Sequence, residues 1–275
     1  MFVCGITGHT GTLGKELLKK KFLKFKKFKG DITKYKDVEE WVDNHNLDLI
    51  IHFAAIVPTN KVNQNYQVAK NVNYYGTVNL VKAINKNKKN LKWFFFSSTS
   101  HVYNVNNDKK NIKESSVKKP YSKYGNTKLL AEKYIVKKLN NRIPFCIGRI
   151  FSFTGKNQSN KFFIPAILKK IKTSKKKFIS LENLNHYRDF ISIEDIVKAI
   201  MLLYKTKSKG IYNIGSGKKN SLVVIADYIC TKYNKTLHHI ESKSKVTYLI
   251  ANIDKLKKLK FNISNDIFKI IDKII

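Results

Sequence analysis

The sequence predicts an α/β protein built on a doubly wound parallel sheet, with a smaller α/β part on its C-terminal side. Three observations predict it. A short apolar run at the N-terminus leads into a glycine-rich turn and a helical pattern. Apolar runs of strand length then alternate with amphipathic stretches to about residue 150, and beyond about residue 152 the pattern becomes shorter and less regular. Residues 1–150 are therefore expected to carry the sheet, and residues 151–275 a smaller domain interlaced with it by chain crossings.

The elements follow in order. "MFVCGIT" is rich in strand formers, "GHTGTLG" is a turn and "KELLKKKF" is helical. "KKKFLKFKKFK" (19–29) reads as a strand whose Phe and Leu residues are buried and whose lysines face water. "DVEEWVDNHN" is a helix, "LDLIIHFAA" a buried strand, "NYYGTVNLVKAINKN" a helix and "LKWFFFSS" a strand running into a loop. "SKYGNTKLLAEKYIVKKL" is a long helix and "IPFCIGRIF" a further strand, with "YNIGSG" and the helix "SLVVIADYICTKY" as later landmarks. In a sheet of this kind ligands bind at the carboxyl ends of the strands.

Composition narrows the classes. At 275 residues and 43% hydrophobic, the chain can bury one large core or two joined ones, which excludes disorder and a small stapled scaffold. "MFVCGITGHTG" has no basic region ahead of an apolar one, and no later stretch reaches the roughly 18 apolar residues of a membrane helix. A cytoplasmic protein is expected. Cys4, Cys146 and Cys230 lie far apart in apolar segments, without metal-site spacing, and read as buried reduced thiols. The formal charge of +35 raises the alternative of a nucleic-acid binder that keeps the fold without turnover. The lysines are spread from end to end, however, and read as solvated positions.

Two motifs carry chemistry. Gly8, Gly11 and Gly14 sit at the first strand-to-helix turn, where missing side chains let the backbone approach a pyrophosphate at the positive end of a helix. Tyr124 and Lys128 are four apart on a predicted helix, so both project from one face. An ammonium beside a phenol is expected to stabilise the phenolate and bring proton exchange within reach of neutral pH.

Taken together, "TGHTGTLG", "GDI" (30–32), "IIHFAA", "NYYGTVNL", "SSTSHVY", "YGNTK", "RIFSFTG", "YRDFISIEDIVKAI" and "YNIGSG" resemble, in this order, the extended short-chain dehydrogenase/reductases of the nucleotide-sugar epimerase, dehydratase and reductase group. The resemblance covers nearly the whole chain. It implies a Rossmann-type NAD(P) domain, a nucleotide-sugar substrate, and a homodimer built on the helices of "NYYGTVNLVKAI" and "YGNTKLLAEKY". It assigns Tyr124 as acid/base, Lys128 as its electrostatic partner and ribose ligand, and Thr99 as donor to the substrate oxygen. It extends the cofactor set from the three glycines to Thr10, Thr12, Leu13, Asp31, Ile32, Phe53, Ala54, Ala55, Asn73 and Ser97, with Asp31 at the adenine. Substrate contacts are implied for His101, Ser152 and Arg188, the last clamping the diphosphate with its forked guanidinium.

In the dehydratases of this group the residue two before the "VY" tyrosine is a Glu, and in the fucose synthases it is an epimerising Cys. Here it is His101, and the second epimerising residue of the fucose synthases is replaced by Phe162. Both activities are disfavoured. "RIFSFTGKNQSNKFFIP" resembles the matching segment of reductases acting on GDP-4-keto-6-deoxymannose, departing from it at Ser152 and Lys156. The resemblance thus implies a reductase of a nucleotide-activated 4-keto-6-deoxyhexose, with a nucleotide-sugar C4 epimerase as the alternative. The cofactor is NADPH or NADH. The second strand ends on Lys26, Lys27 and Lys29 without an acidic residue, which tilts towards the 2′-phosphate of NADPH.

Overall fold

A computed structural model of the chain describes residues 1–57, 59–87, 91–105, 109–139, 143–241, 244–264 and 266–275. The chain begins with β1 (Phe2–Thr7), α1 (Thr12–Leu17), β2 (Leu23–Lys27), α2 (Tyr35–Asp43) and β3 (Leu49–His52). Next come α3 (Thr59–Gln64), α4 (Tyr66–Lys70), a π-helical turn (Asn71–Tyr75) that runs into α5 (Gly76–Lys86), and β4 (Trp93–Thr99). A 3₁₀ turn (Ser100–Val102) leads on to α6 (Lys123–Leu139), β5 (Phe145–Ile150), β6 (Ser152–Thr154) and α7 (Phe163–Thr173). The rest is β7 (Phe178–Glu182), β8 (His186–Arg188), β9 (Phe190–Ser192), α8 (Ile193–Lys205), β10 (Gly210–Ile214), β11 (Asn220–Ser221), α9 (Leu222–Lys232), β12 (Thr236–Ile240), β13 (Thr247–Leu249), α10 (Asp254–Lys257) and α11 (Ile267–Asp272).

The expected doubly wound sheet is present. Its six strands lie in the order β10-β5-β4-β3-β1-β2, and the pairs β2–β1, β1–β3, β3–β4 and β4–β5 are parallel. Parallel neighbours need a crossover between them, which α1, α2, α5 and α6 supply. The chain leaves β1 for β2 on one side and then returns to β3 on the other. That reversal opens the sheet at the carboxyl ends of β1 and β3.

Burial on both faces explains the unbroken apolar runs. All four residues of β3 are buried, as are Trp93, Phe94, Phe95 and Phe96 of β4. Phe94 and Phe96 join Ile50 and Ile147 in a core that takes Val38 and Trp41 from α2, Leu80 and Ile84 from α5, and Ile135 from α6. β2 follows its sequence in part: Leu23 and the following Phe28 are buried while Lys24 and Lys27 are exposed, but Phe25 and Lys26 are both half-buried and Phe22, ahead of the strand, is exposed. It is the terminal strand of the sheet on that side. The three cysteines are buried, and none is in a disulfide among the described residues.

The first helix is shorter than the periodicity predicts, ending at Leu17 rather than running through Phe22. Strand pairing takes precedence there. Leu23 must lie opposite Phe2 in the parallel register, so the chain spends residues 18–22 turning back towards the start of β1.

The chain divides into two compact units, 1–104 with 117–150 and 197–212, and 105–116 with 151–196 and 213–275. The first contains most of the sheet. In the second, α7, α9 and α11 pack Ile164, Ile167, Ile171, Ile225, Ile229, Ile267 and Ile271 into one apolar cluster. Its strands form a three-stranded sheet, β11-β8-β13, and the parallel pairs β12–β7 and β6–β9. Segment 105–116 belongs to this unit because Ile112 hydrogen-bonds Ile250 and Asn252. Among the described residues no helix is long and apolar enough to cross a membrane, and no cluster of three His, Cys, Asp or Glu side chains could hold a metal ion.

Candidate active site

At the carboxyl end of β1 the glycines of "TGHTGTLG" are fixed by geometry. Gly8 has φ +68°, and a Cβ there would lie 2.5 Å from the Ala54 nitrogen. A Cβ on Gly14 would lie 2.4 Å from the Gly8 carbonyl oxygen, so α1 can seat against the turn only without one. On Gly11 it would meet nothing closer than that same oxygen at 3.4 Å, which leaves the outer side of the turn open. The turn closes with a 3.1 Å hydrogen bond from Gly11 N–H to Gly8 C=O. A turn clamped on the protein side and bare on the other fits a dinucleotide pyrophosphate.

The other predicted cofactor residues in this unit lie as follows. Thr10 is exposed, and Thr12 and Leu13 are half-buried in the first turn of α1. Exposed Asp31 accepts hydrogen bonds from both the backbone N–H and the hydroxyl of Thr33, which hold its carboxyl below the usual range. Ile32 is buried. Phe53, Ala54 and Ala55 are half-buried just past β3, beside the glycine turn: Phe53 N–H donates to Thr7 C=O and Ala54 N–H to the Thr7 hydroxyl. Ser97 is half-buried on β4.

Asn73 is fully buried, and its carboxamide is spent inside the protein. Oδ1 accepts from Ile56 N–H at 2.7 Å, and Nδ2 donates to Ile56 C=O at 3.0 Å and to the Thr127 hydroxyl at 3.1 Å. It lies in the π-helical turn, an irregularity of the kind that gathers at functional sites.

Asn73 is one link in a buried polar chain that sequence reading missed. His52 at the end of β3 sits between Thr7 (Nδ1 to Oγ1, 2.6 Å) and Thr77 (Nε2 to Oγ1, 3.0 Å). The Thr77 hydroxyl donates to Asn73 C=O, so it must accept from His52. This fixes the proton of His52 on Nε2 and makes Nδ1 the acceptor of the Thr7 hydroxyl. Asn73 donates to Thr127, whose hydroxyl donates to the Tyr124 carbonyl. The chain thus runs without a break from the strand below the glycine turn to the helix of the tyrosine. Burial, with the charge of Lys128 behind it, pulls His52 down to about 3 and keeps it neutral.

Thr99, Tyr124 and Lys128 come together as predicted. Each is buried, and the Thr99 hydroxyl hydrogen-bonds the Tyr124 phenol. Lys128 Nζ lies 4.1 Å from the centre of the Phe96 ring. Their electrostatics correct one expectation. Burial raises the phenol above its ordinary value, with the Thr99 bond opposing, and pulls Lys128 down to about 7, with Glu132 opposing. Charge proximity suggested a lowered phenol; desolvation of both groups outweighs it.

His101 stands beside this set, half-buried. Its ring is edge-on to Tyr124 at 5.8 Å and tilted on Tyr121 at 4.8 Å, and its Nδ1 is 3.3 Å from the Ser122 hydroxyl. A Cβ on Gly125 would fall 2.2 Å from the His101 carbonyl oxygen, so α6 approaches the 3₁₀ turn only through a glycine. Beneath Lys128, Glu132 and Arg149 form a fully buried ion pair, which the sequence reading also missed. The available signal was a charge inside each of two apolar stretches, Glu132 in "LLAEKYIV" and Arg149 in "FCIGRI".

The two substrate residues of the second unit are half-buried there, Ser152 on β6 and Arg188 on β8. Arg188 Nη1 donates to the carbonyls of Tyr187 (2.8 Å) and Thr247 (3.1 Å), which braces its side chain. Phe162 packs on Phe153 with ring centres 6.2 Å apart, an apolar contact where an acid/base group would be needed. Asp189 is buried and accepts from the backbone N–H groups of Ser216, Gly217 and Ala251 and from the Ser216 hydroxyl, so "YRDF" and "YNIGSG" are tied together through it.

Comparison with known proteins agrees with this geometry. The human dTDP-D-glucose 4,6-dehydratase is 28% identical over 227 residues, covering 82% of this chain and 64% of the relative; the chain spans less than two thirds of the length of this and the similar mammalian relatives. The GDP-6-deoxy-D-talose 4-dehydrogenase of Aggregatibacter actinomycetemcomitans is 29% identical over 256 residues, covering 89% of this chain and 83% of the relative. Among solved structures, RMD from Pseudomonas aeruginosa complexed with NADPH superposes with a TM-score of 0.90 at 17% identity, covering 98% of this chain and 96% of that one. The Thermus thermophilus UDP-glucose 4-epimerase in complex with NAD gives 0.88 at 16% identity, covering 99% and 98%. These neighbours share the fold and bind NAD or NADPH. Residues 4–215, from the first strand through the glycine turn and the Tyr124–Lys128 helix to "YNIG", match the NAD dependent epimerase/dehydratase family, and the chain belongs to it.

Proposed function

We propose that the chain is an NAD(P)H-dependent reductase of a nucleotide-activated 4-keto-6-deoxyhexose. The observation that carries this reading is the buried Thr99–Tyr124–Lys128 set with an imidazole, His101, set edge-on to the tyrosine. Carbonyl reduction needs only the hydroxyl, phenol and ammonium, whereas elimination of water needs a further base. The Aggregatibacter relative is named for dehydrogenation at position 4 of a GDP-activated 6-deoxyhexose, and reduction of a 4-keto group is that reaction read backwards.

The glycine turn of Gly8, Gly11 and Gly14 would hold a reduced nicotinamide dinucleotide, which would supply the hydride for C4. Tyr124 donates its phenolic proton to the C4 oxygen, and Thr99 donates a hydrogen bond where negative charge develops. Lys128 compensates the phenolate and holds the nicotinamide ribose. Arg188 and Ser152 bind the diphosphate, and His101 lines the sugar site. Exposed Lys27, the last residue of β2, and exposed Lys29 just past it favour NADPH over NADH. The reading takes the chain to act in the cytoplasm on small molecules, with its lysines as solvated surface and not as a grip on nucleic acid.

A second reading, C4 epimerisation by oxidation and re-reduction, uses the same three residues. It is favoured by the putative UDP-glucose 4-epimerase of Methanocaldococcus jannaschii, 30% identical over 204 residues. Incubating the protein with NADPH or NADH and a panel of keto and hydroxy nucleotide sugars separates the two. Stoichiometric loss of reduced cofactor with a 4-keto-6-deoxy sugar is the expected result. An epimer formed without net cofactor change would replace the first reading by the second, and release of a 4-keto-6-deoxy product from a 4-hydroxy sugar would overturn both.

We further propose a homodimer through α5 and α6, whose neighbourhood leaves Tyr75 and Val136 exposed at 44% and 40%. Light scattering should give twice the 31.9 kDa chain mass, and a monomer mass would end that proposal.

A further inference from the structure

Glu132 and Arg149 are 3% and 1% exposed in a layer otherwise filled by Phe96, Ile135, Leu139 and Ile147. Arg149 Nη2 donates to Glu132 Oε2 at 2.6 Å, and Nε donates to both carboxylate oxygens at 3.0 and 3.2 Å. The Ser98 hydroxyl donates to the same carboxylate. Arg149 Nη1 reaches the Tyr103 hydroxyl at 3.0 Å, and the guanidinium lies 4.8 Å from the centre of the Tyr103 ring. The carboxylate is therefore held by β4 and β5 and, through Arg149, by the residue that ends the His101 turn. A buried ion pair of this kind adds little stability over an apolar pair of the same volume. Its placement suggests another use: Glu132 is one helical turn beyond Lys128 on the same buried face, and its negative charge acts on the ammonium.

We propose that Glu132, clamped by Arg149 and Ser98, is a positioning residue that keeps Lys128 a charged partner for Tyr124. The inference rests on the reading of Tyr124 and Lys128 as the catalytic pair. Lys128 needs such help because it is buried against a ring and little else of opposite sign. On its own helix it shares a face with Tyr124 and Glu132; the Phe96 ring of β4 lies against its ammonium, and its charge reaches the neutral His52 of β3. Removing the carboxylate charge leaves two buried cations and favours the neutral amine, which cannot stabilise a phenolate. Removing both charges leaves Lys128 with its burial alone, an intermediate case.

The test compares wild type, Glu132→Gln and Glu132→Gln/Arg149→Met, the last removing the pair without stranding a charge. Thermal melts check folding, and kcat/KM for the keto sugar is followed from pH 5.5 to 9. The activity lost as Lys128 deprotonates should be lost at lower pH in the double variant and lower still in Glu132→Gln, by about one unit, so that the pH 8 to pH 6 activity ratio falls roughly fivefold. Folded variants whose basic limb stays at the wild-type pH, or moves up, would overturn the proposal, as would a double variant that no longer melts cooperatively, since that marks a structural role. Absence of wild-type turnover on every nucleotide sugar overturns the proposed reaction instead; fluorescence titration of NADPH over the same pH range then reads the same order of limbs.

Discussion

Tyr124→Phe should lower turnover of the keto sugar on the order of 100-fold or more while leaving the fold and NADPH affinity nearly unchanged. The phenyl ring refills the buried site, so packing against Val62 and Ala69 persists and only the hydroxyl is lost. That hydroxyl is the proton source for the C4 oxygen and the partner of Thr99. Its raised pKa suits this direction of chemistry: a phenol kept protonated at neutral pH is ready to donate, and the phenolate left behind is reprotonated readily. The measurement is kcat at saturating substrate beside a melting curve. Turnover retained within tenfold of wild type would remove Tyr124 from the role of donor, whatever the substrate.

Acidification from pH 7 to pH 5 should cost about 2 kcal/mol of stability through His52 alone. The sign follows from where the protons go. His52 has a folded pKa of about 3, against an unfolded value of about 6.5, so between these limits the unfolded chain binds a proton that the folded chain refuses. Its contribution to stability is complete above about pH 6.5 and is lost at about 1.4 kcal/mol per unit as pH falls towards 3. Protonation would also put a donor on Nδ1, where Ala54 N–H already donates to the facing Thr7 hydroxyl oxygen. Urea unfolding of wild type and His52→Gln at the two pH values isolates the effect, because other groups cancel in the difference. Equal pH slopes for the two proteins would refute it.

How far the sequence could be read depended on whether a feature was local. The strand–turn–helix opening, the run "WFFF" and the Tyr124–Lys128 spacing are each decided by a few neighbouring residues, and all three are found as read. The end of α1 was not legible, because Leu23 is drawn to Phe2 by a pairing that no periodicity reveals. His52, Glu132 and Arg149 were passed over as polar residues within apolar stretches; His52 finds its partners 25 and 45 residues away, Glu132 and Arg149 are 17 apart, and Ser98 and Tyr103 join them across 34 and 46. The phenol shift was read with the wrong sign for a related reason. Charge neighbours can be counted along a helix, but the desolvation that outweighs them comes from residues brought up by the fold. The return of 105–116 to the second unit, through Ile112 and Ile250, is non-local in the same way.

The lysines of β2 have a consequence for the behaviour of many copies together. As the terminal strand, β2 offers a row of backbone donors and acceptors on which another sheet could grow. Two chains meeting edge to edge there would set Lys24, Lys26 and Lys27 of each within about 5 Å of like charges, at roughly 1 kcal/mol of repulsion per close pair even in water. The edge is thereby guarded by charge, and the guard depends on the solvent. At about 1 M salt the screening length shrinks to about 3 Å and the repulsion across about 5 Å falls to roughly a fifth, so aggregation is opposed in dilute buffer and favoured by salt.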